Sequence, residues 1–238
     1  MITQVKLGEI SVDVLRKDIK NIHLSIYPPT GRVRISAPWR IGLNTIRIFA
    51  ISKLGWIKKQ QRKLREQERE TPREYLDRES HEVWGRRYLL KLIDGADRPG
   101  VELAHDKMIL RVRPGTSRKM RRAIVDDWYR QQVKTAIPPL IARWEPVLGV
   151  KVTRFFVRKM KTKWGSCNPV ALSIRLNTDL AKKPPECIEY IVVHEMVHLL
   201  ERRHNERFKS LLDKYIPKWR FYRDVLNRLP VRHEDWRY

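Results

Sequence analysis

The segment His194-Glu195-Met196-Val197-His198 sets two imidazoles four positions apart, with a carboxylate directly after the first. At 3.6 residues per helical turn, positions four apart share a face, so both rings can reach one ion. Glu195 projects about 100° away around the axis and reaches a water held by that ion rather than the ion itself. This is the H-E-x-x-H pattern of metal-assisted hydrolysis. Zinc is the expected cation, because neutral imidazole suits it and three protein ligands leave a fourth position for water.

The third ligand needs a change of direction. His204 lies six positions beyond His198. In a continuous helix it would sit about 240° around and about 9 Å along the axis, out of reach. The helix must therefore end after Leu200, and the chain must turn back through Glu201-Arg202-Arg203. No glycine is present there, so a non-glycine residue has to carry the turn. Glu201 and Glu206 compete for the third position; the reading favours His204. The expected site is then His194, His198 and His204 around Zn2+, with Glu195 as general base. The zinc would bring the pKa of its water towards ~7, and Glu195 would take the proton and return it to the leaving group. Lys163 and Arg175 are the expected stabilisers of developing negative charge.

The surroundings argue against chance. Three of the seven histidines fall within eleven positions. The helix around them carries Ile188, Ile191, Val192, Val193, Met196 and Val197, so it reads as a core helix. Imidazoles and a carboxylate buried there need partners, since unpaired buried polar groups are costly. The bland alternative is a pair of satisfied core histidines with no metal.

Upstream lies Lys161-Thr162-Lys163-Trp164-Gly165-Ser166-Cys167. Gly165 reads as a tight turn beside the site. It feeds a strand over Ala171–Leu176, which is expected to be the edge strand that pairs with an extended substrate. Trp164 and Cys167 are further substrate-contact candidates, with Lys163 and Arg175. Ser166 has no histidine left over for a nucleophilic pair. Arg158, Lys159, Lys161 and Lys163 form a cationic run: either a solvated face or a phosphate site with Trp164 available for stacking. His23, His81, His105 and His233 receive no role. Trp219, Phe221 and Tyr222 read as core.

Several elements must position these groups. Period-two runs at Ile10-Val12-Val14, Ile22-Leu24-Ile26 and Val33-Ile35-Ala37 predict antiparallel strands. Pro28-Pro29-Thr30-Gly31 predicts a hairpin-like link between the last two. Ile46, Phe49, Ala50 and Ile57 predict a helix running on into polar Lys58–Arg69 and stopped at Thr71-Pro72. Strands follow at Tyr88–Ile93 and Met108–Val112. Pro114-Gly115 is the expected domain boundary, giving residues 1–115 as a β-rich N-terminal half and 116–238 as the catalytic half. A long helix over about Arg118–Arg143, buried through Ile124, Trp128, Val133 and Ile137, is expected to kink or divide at Pro138-Pro139. Val152–Val157 is a strand. Pro184-Pro185 opens the metal helix, and Phe208, Leu211, Leu212 and Tyr215 face inward from a helix starting near Asn205. No sequence repeat is evident.

Composition narrows the class. A chain of 238 residues with 42% hydrophobic content supports a globular core. No apolar run approaches the ~20 residues of a membrane span, and no signal-peptide core is present, so a cytoplasmic protein without a membrane partner is expected. Two cysteines, Cys167 and Cys187, are too few for a disulfide scaffold or a cysteine-based zinc site. The net charge of +24 predicts either attraction to nucleic acid or nucleotides, or a solvated basic surface.

The run from His194 to His204, followed by Asn205 and Phe208, resembles the H-E-x-x-H-x5-H-x3-F core of the YgjP/SprT-like zinc metallopeptidases. Trp164-Gly165-Ser166-Cys167 is similar to that family's W-G-S-C signature. Ile174, Asn177 and Leu180 are similar to its I-x-x-N-x-x-L pattern. The N-terminal strands and the helix ending in Trp56-Ile57-Lys58 resemble the YgjP branch. Lys209 departs from the tryptophan often found there, and the missing turn glycine separates the chain from metzincins. The resemblance implies an α+β fold with a zincin-like catalytic half, and hydrolysis of a protein or peptide substrate. Two further functions follow from it: UTP pyrophosphatase activity, described for some YgjP members, and a nucleic-acid-associated protease, as in SprT-like families.

Overall fold

In the computed structural model, residues 2–27, 30–66, 73–160 and 163–228 are described. They divide into two compact units, the first lying N-terminal to Arg73 and the second formed by Arg73–Asn227.

The first unit holds strands β1 (Ile2–Leu7), β2 (Ile10–Lys17), β3 (His23–Tyr27) and β4 (Arg32–Pro38), in the order β1-β2-β4-β3. The β2–β4 pair is parallel and the two outer pairs are antiparallel. The three period-two runs fall on β2, β3 and β4, except Ile22, which stands one residue before β3; the expected antiparallel pairing holds for β3–β4, but β2 and β4 run parallel. Val12, Val14, Val33, Ile35 and Ala37 are buried against Ile46 and Ala50 of helix α1 (Leu43–Ser52) and Ile57 of helix α2 (Leu54–Glu66). The single helix expected here is two, separated at Lys53, whose N–H bonds back to Ala50. Pro28-Pro29, residues 67–69 of the expected polar extension, and its stop at Thr71-Pro72 lie outside the described residues.

The second unit opens with β5 (Ser80–Val83), β6 (Arg86–Asp94), β7 (Gly100–Ala104) and β8 (Lys107–Val112), ordered β5-β6-β8-β7. Next comes α3, a 31-residue helix over Arg118–Leu148. Its buried ladder is Val125, Tyr129, Val133, Ile137, Ile141, Trp144 and Leu148. Ile124 and Trp128, expected on that face, are only partly buried, one position off the ladder. The helix runs through Pro138-Pro139 without dividing: both prolines are exposed, as are Lys134 and Thr135, whose carbonyls lose their helical partners and face solvent rather than the core. The unit divides from the first near Arg73, not at Pro114-Gly115. Met108, Leu110 and Val112 of β8 share one hydrophobic core with Val125, Tyr129 and Val133 of α3, so Gly115 (φ 75°) is a turn inside the unit.

Three strands form the last sheet: β9 (Arg154–Arg158), β10 (Gly165–Asn168) and β11 (Ser173–Asn177), ordered β10-β11-β9. A 3-10 helix over Thr178–Lys182 leads to α4 (Pro185–Val197), and α5 (Glu206–Tyr215) and α6 (Trp219–Arg228) follow. Nine residues of α4 are buried, from Cys187 to Val197. Trp144 Nε1 of α3 donates to Glu189 Oε1 at 2.9 Å, and Arg143 pairs with the same oxygen at 2.9 Å, tying α3 to α4. The architecture is α+β, with strands ahead of an active-site helix, as expected. No described helix is long and apolar enough to cross a membrane.

Candidate metal centre and cleft

Helix α4 ends one residue before His198, which stays in helical conformation (φ −65°, ψ −15°) as its C-cap. His194 and His198 therefore remain on one face. Leu199, Leu200 and Glu201 donate N–H bonds back to Met196 and Val197, and Arg203 N–H donates to Glu201 Oε1. No residue from Leu199 to Asn205 has positive φ. The turn thus needs neither glycine nor a left-handed substitute: backbone bonds and the Glu201 carboxylate close it. Asn205 then caps α5 by accepting from Phe208 N–H at 3.0 Å.

The turn brings His204 back. One ligand nitrogen from each of His194, His198 and His204 lies within 4.8 Å of the others. The Nε2 atoms of His194 and His204 are 3.1 Å apart. His198 Nδ1 faces the Glu201 carbonyl at 3.1 Å, which favours the Nδ1–H tautomer and leaves Nε2 with the lone pair. Burial first, and the neighbouring imidazoles second, hold His194 down at about 3. Burial also lowers His198. Both rings are therefore neutral at ordinary pH, the form that ligates metal. His194 Nδ1 is buried without a hydrogen-bond partner among the described residues. Three converging imidazole nitrogens, one ring of which also carries that unpartnered Nδ1, fit a divalent cation of nitrogen-ligand preference. The competing Glu201 is occupied in the turn, and Glu206 pairs with Lys209.

Phe208 closes the wall behind the triad, its ring 4.6–5.0 Å from all three imidazoles. Tyr190, one turn before His194, meets it edge-on at 5.7 Å. The sequence marks Phe208 as an inward-facing residue; its packing role becomes visible only once His204 folds back. Tyr190 could have been found from its i−4 spacing to His194.

Glu195 is 5% exposed. Burial pushes its carboxyl up to about 8, and the nearby charge of Lys163 opposes that. A Cβ at Gly165 would lie 2.5 Å from Glu195 Oε1, so only glycine lets β10 run past the carboxylate. This is a close approach, not a left-handed turn, because Gly165 does not have positive φ. Asn177 fixes the adjoining segment. Its side chain donates to the carbonyls of Met160 and Lys163, both at 2.9 Å, and its backbone N–H donates to the Trp164 carbonyl at 2.9 Å.

A cleft of about 800 Å³ opens over the site, bordered by Lys163, Trp164 and Cys167 on one side. Burial, and then the charge of Glu195, push the Cys167 thiol up to about 11, so it is a protonated, unreactive group. Arg175 is not brought in: it is exposed, and it is not among the residues bordering the cleft. The edge-strand expectation also shifts. β11 pairs with β9 on one side and β10 on the other, so its hydrogen bonds are taken; β10 is the edge strand beside the cleft among the described residues. The cationic run is split as well. Arg158 and Lys159 border a separate cavity of about 570 Å³ with Arg130 and Lys134, Lys163 borders the main cleft, and Lys161 lies outside the described residues. Trp219 is both core (7% exposed) and cleft wall, whereas Phe221 is 63% exposed rather than core.

Residues 20–229 match the YgjP-like metallopeptidase domain family. No curated protein matches. Among solved structures, the metallopeptidase zymogen abylysin of Pyrococcus abyssi is similar at 20% identity over 38% of this chain and 90% of that one, with a TM-score of 0.36. The metallopeptidase zymogen jannalysin of Methanocaldococcus jannaschii is similar at 18% identity over 40% and 92%, with a TM-score of 0.33. The family match spans most of the chain and includes both the histidine triad and the Gly165 strand, and the chain belongs to the YgjP-like metallopeptidase family.

Proposed function

We propose that this metallopeptidase uses zinc, held by His194, His198 and His204, and that Glu195 is its general base. The observation that carries the reading is the convergence of three imidazole nitrogens within 4.8 Å beside one buried carboxylate at the wall of an open cleft. Zinc bound there would supply Lewis-acid polarisation of a peptide carbonyl and a water of lowered pKa. Glu195 accepts the proton of the attacking water on a carboxylate oxygen and delivers it to the leaving amine. Being buried, it needs positive charge nearby to ionise, and Lys163 supplies one such charge from a segment pinned by Asn177. Lys163 also remains the group for the developing oxyanion; Arg175 is not assigned that role. The exposed edge of β10 offers backbone N–H and C=O groups to an extended peptide, with Trp164 and Cys167 flanking it. Both thiols are free, which fits a reducing, cytoplasmic setting.

Glu195→Gln keeps the size of the side chain but cannot take the proton. It should retain zinc by elemental analysis and lose roughly 10²-fold or more in peptide cleavage. His194→Ala or His198→Ala should lose the metal. Loss of zinc in Glu195→Gln would make Glu195 a ligand, and peptide cleavage unaffected by chelation would end the zinc reading. A zinc-loaded preparation that turns over UTP and no peptide would move the chemistry to a nucleotide.

A further inference from the structure

We infer that the cleft selects acidic peptides, with carboxylate side chains flanking the scissile bond docking on Arg202, Lys209 and Arg223. The inference rests on the peptidase reading above and names its substrate class.

Four basic side chains border the cleft: Lys163, Arg202, Lys209 and Arg223. Glu195 is the single carboxylate among the bordering residues, and at 5% exposure it is withdrawn from the surface. The cations come from separate elements. Arg202 stands in the turn between α4 and α5, two residues before His204. Lys209 follows Phe208, the residue whose ring packs against all three imidazoles. Arg223 lies on α6, with its guanidinium carbon 5.1 Å from the centre of the Trp219 ring. They border one opening from three separate elements rather than lying along one helix face.

These charges are available to a ligand. Arg202 has no ion-pair partner among the described residues. Lys209 pairs with Glu206, whose side chain is 88% exposed, and Arg223 pairs with Asp224, whose side chain is 50% exposed. Ion pairs this exposed are weak and exchange readily for another carboxylate. The wall between the cations is apolar, formed by Tyr190, Leu212, Trp219 and Leu226. Low-dielectric walls focus the field of charges of one sign, which raises the local concentration of an anionic substrate and repels a cationic one.

The test uses three quenched fluorescent peptides with one scissile core, flanked by Glu, Gln or Lys, cleaved by the zinc-loaded full chain. The Glu-flanked peptide should exceed the Gln-flanked one in kcat/KM by about tenfold, as expected for two or three half-exposed ion pairs, and the Lys-flanked one should fall below it. In an Arg202→Gln/Arg223→Gln double variant the Glu-to-Gln ratio should collapse to within about twofold, chiefly through KM. Arg86→Gln/Arg87→Gln removes the same charge from exposed positions on β6 and should keep the ratio. Equal rates for the three peptides would overturn the inference by showing no charge selection, and equal loss in both double variants would overturn it by leaving only the +24 overall charge acting. UTP turnover lost in the cleft variant, with no acidic-peptide preference in the unaltered chain, would also overturn it by giving these cations to a nucleotide. Cleavage of the Gln-flanked peptide shows separately that the peptidase reading stands; if no peptide is cleaved, that reading falls and this inference with it.

Discussion

The two four-stranded sheets follow one plan. β1-β2-β4-β3 and β5-β6-β8-β7 have the same order, and in both the pairings run antiparallel, parallel, antiparallel. Each begins with a tight hairpin at a positive-φ glycine, Gly8 in one and Gly85 in the other, and in each the fourth strand is followed by a helix. They differ in what they cover. The first closes a core of its own with α1 and α2. The second lies on α3 within a core that continues to the buried face of α4, the helix carrying His194 and Glu195. One strand plan thus closes a core of its own in one place and backs the candidate metal site in another. The chemistry comes from what is packed on the sheet, not from the sheet.

Matched substitutions separate the two uses. Ile35 in β4 and Leu110 in β8 are both fully buried. Truncating either to alanine should cost about 2–5 kcal/mol by denaturant unfolding, from lost burial and the cavity left behind. Leu110→Ala should also weaken zinc retention against a chelator, because its core reaches α4. Ile35→Ala should leave zinc retention of the folded protein as it was. Equal zinc loss in both would break the distinction.

A smaller effect comes from the hairpin glycines. Alanine at either Gly8 or Gly85 meets positive φ, which costs about 1 kcal/mol. A Cβ at Gly8 has nothing within 4 Å, whereas at Gly85 it would lie 3.0–3.2 Å from Pro184, the N-cap of α4. Gly85→Ala should therefore destabilise by about twice as much as Gly8→Ala, and it alone should lower kcat/KM for a neutral peptide. Indistinguishable unfolding midpoints and rates would show that the hairpin does not bear on the active-site helix.

The proposed ligands His194 and His198 and the proposed base Glu195 were legible in sequence because helical spacing is a short-range rule: i to i+4 needs no knowledge of the rest of the fold. His204 required a turn, which its position implied, though the means of turning is a set of backbone bonds no residue type announces. The first sheet was legible because apolar and polar residues alternate cleanly at Val12-Val14 and Val33-Ile35, although Asp13 between the two valines is itself buried. The second was half hidden. In β6 only Leu90 is buried outright, and Leu89 beside it is exposed, so periodicity blurs. Four-residue β5 and five-residue β7 are too short to carry a pattern, which is why the shared plan does not show as a repeat. Gly165 and Asn177 sit in recognisable family motifs. Their work, letting a strand pass a carboxylate and tying two loop carbonyls, depends on long-range neighbours, as does the interior place of β11.

All the residues bordering the cleft fall between Lys163 and Asn227. On a ribosome, which makes the chain from the N-terminus, both four-stranded sheets and α3 are complete in sequence before the first of these residues is added. At ordinary elongation speeds the whole set then takes on the order of ten seconds to synthesise. Through most of that interval the nascent protein has a scaffold and no means of catalysis. His194 and His198 emerge before His204, so the proposed three-histidine site is incomplete until the third imidazole is made. The α6 wall of the cleft, with Trp219 and Arg223, is the last part of it to be made.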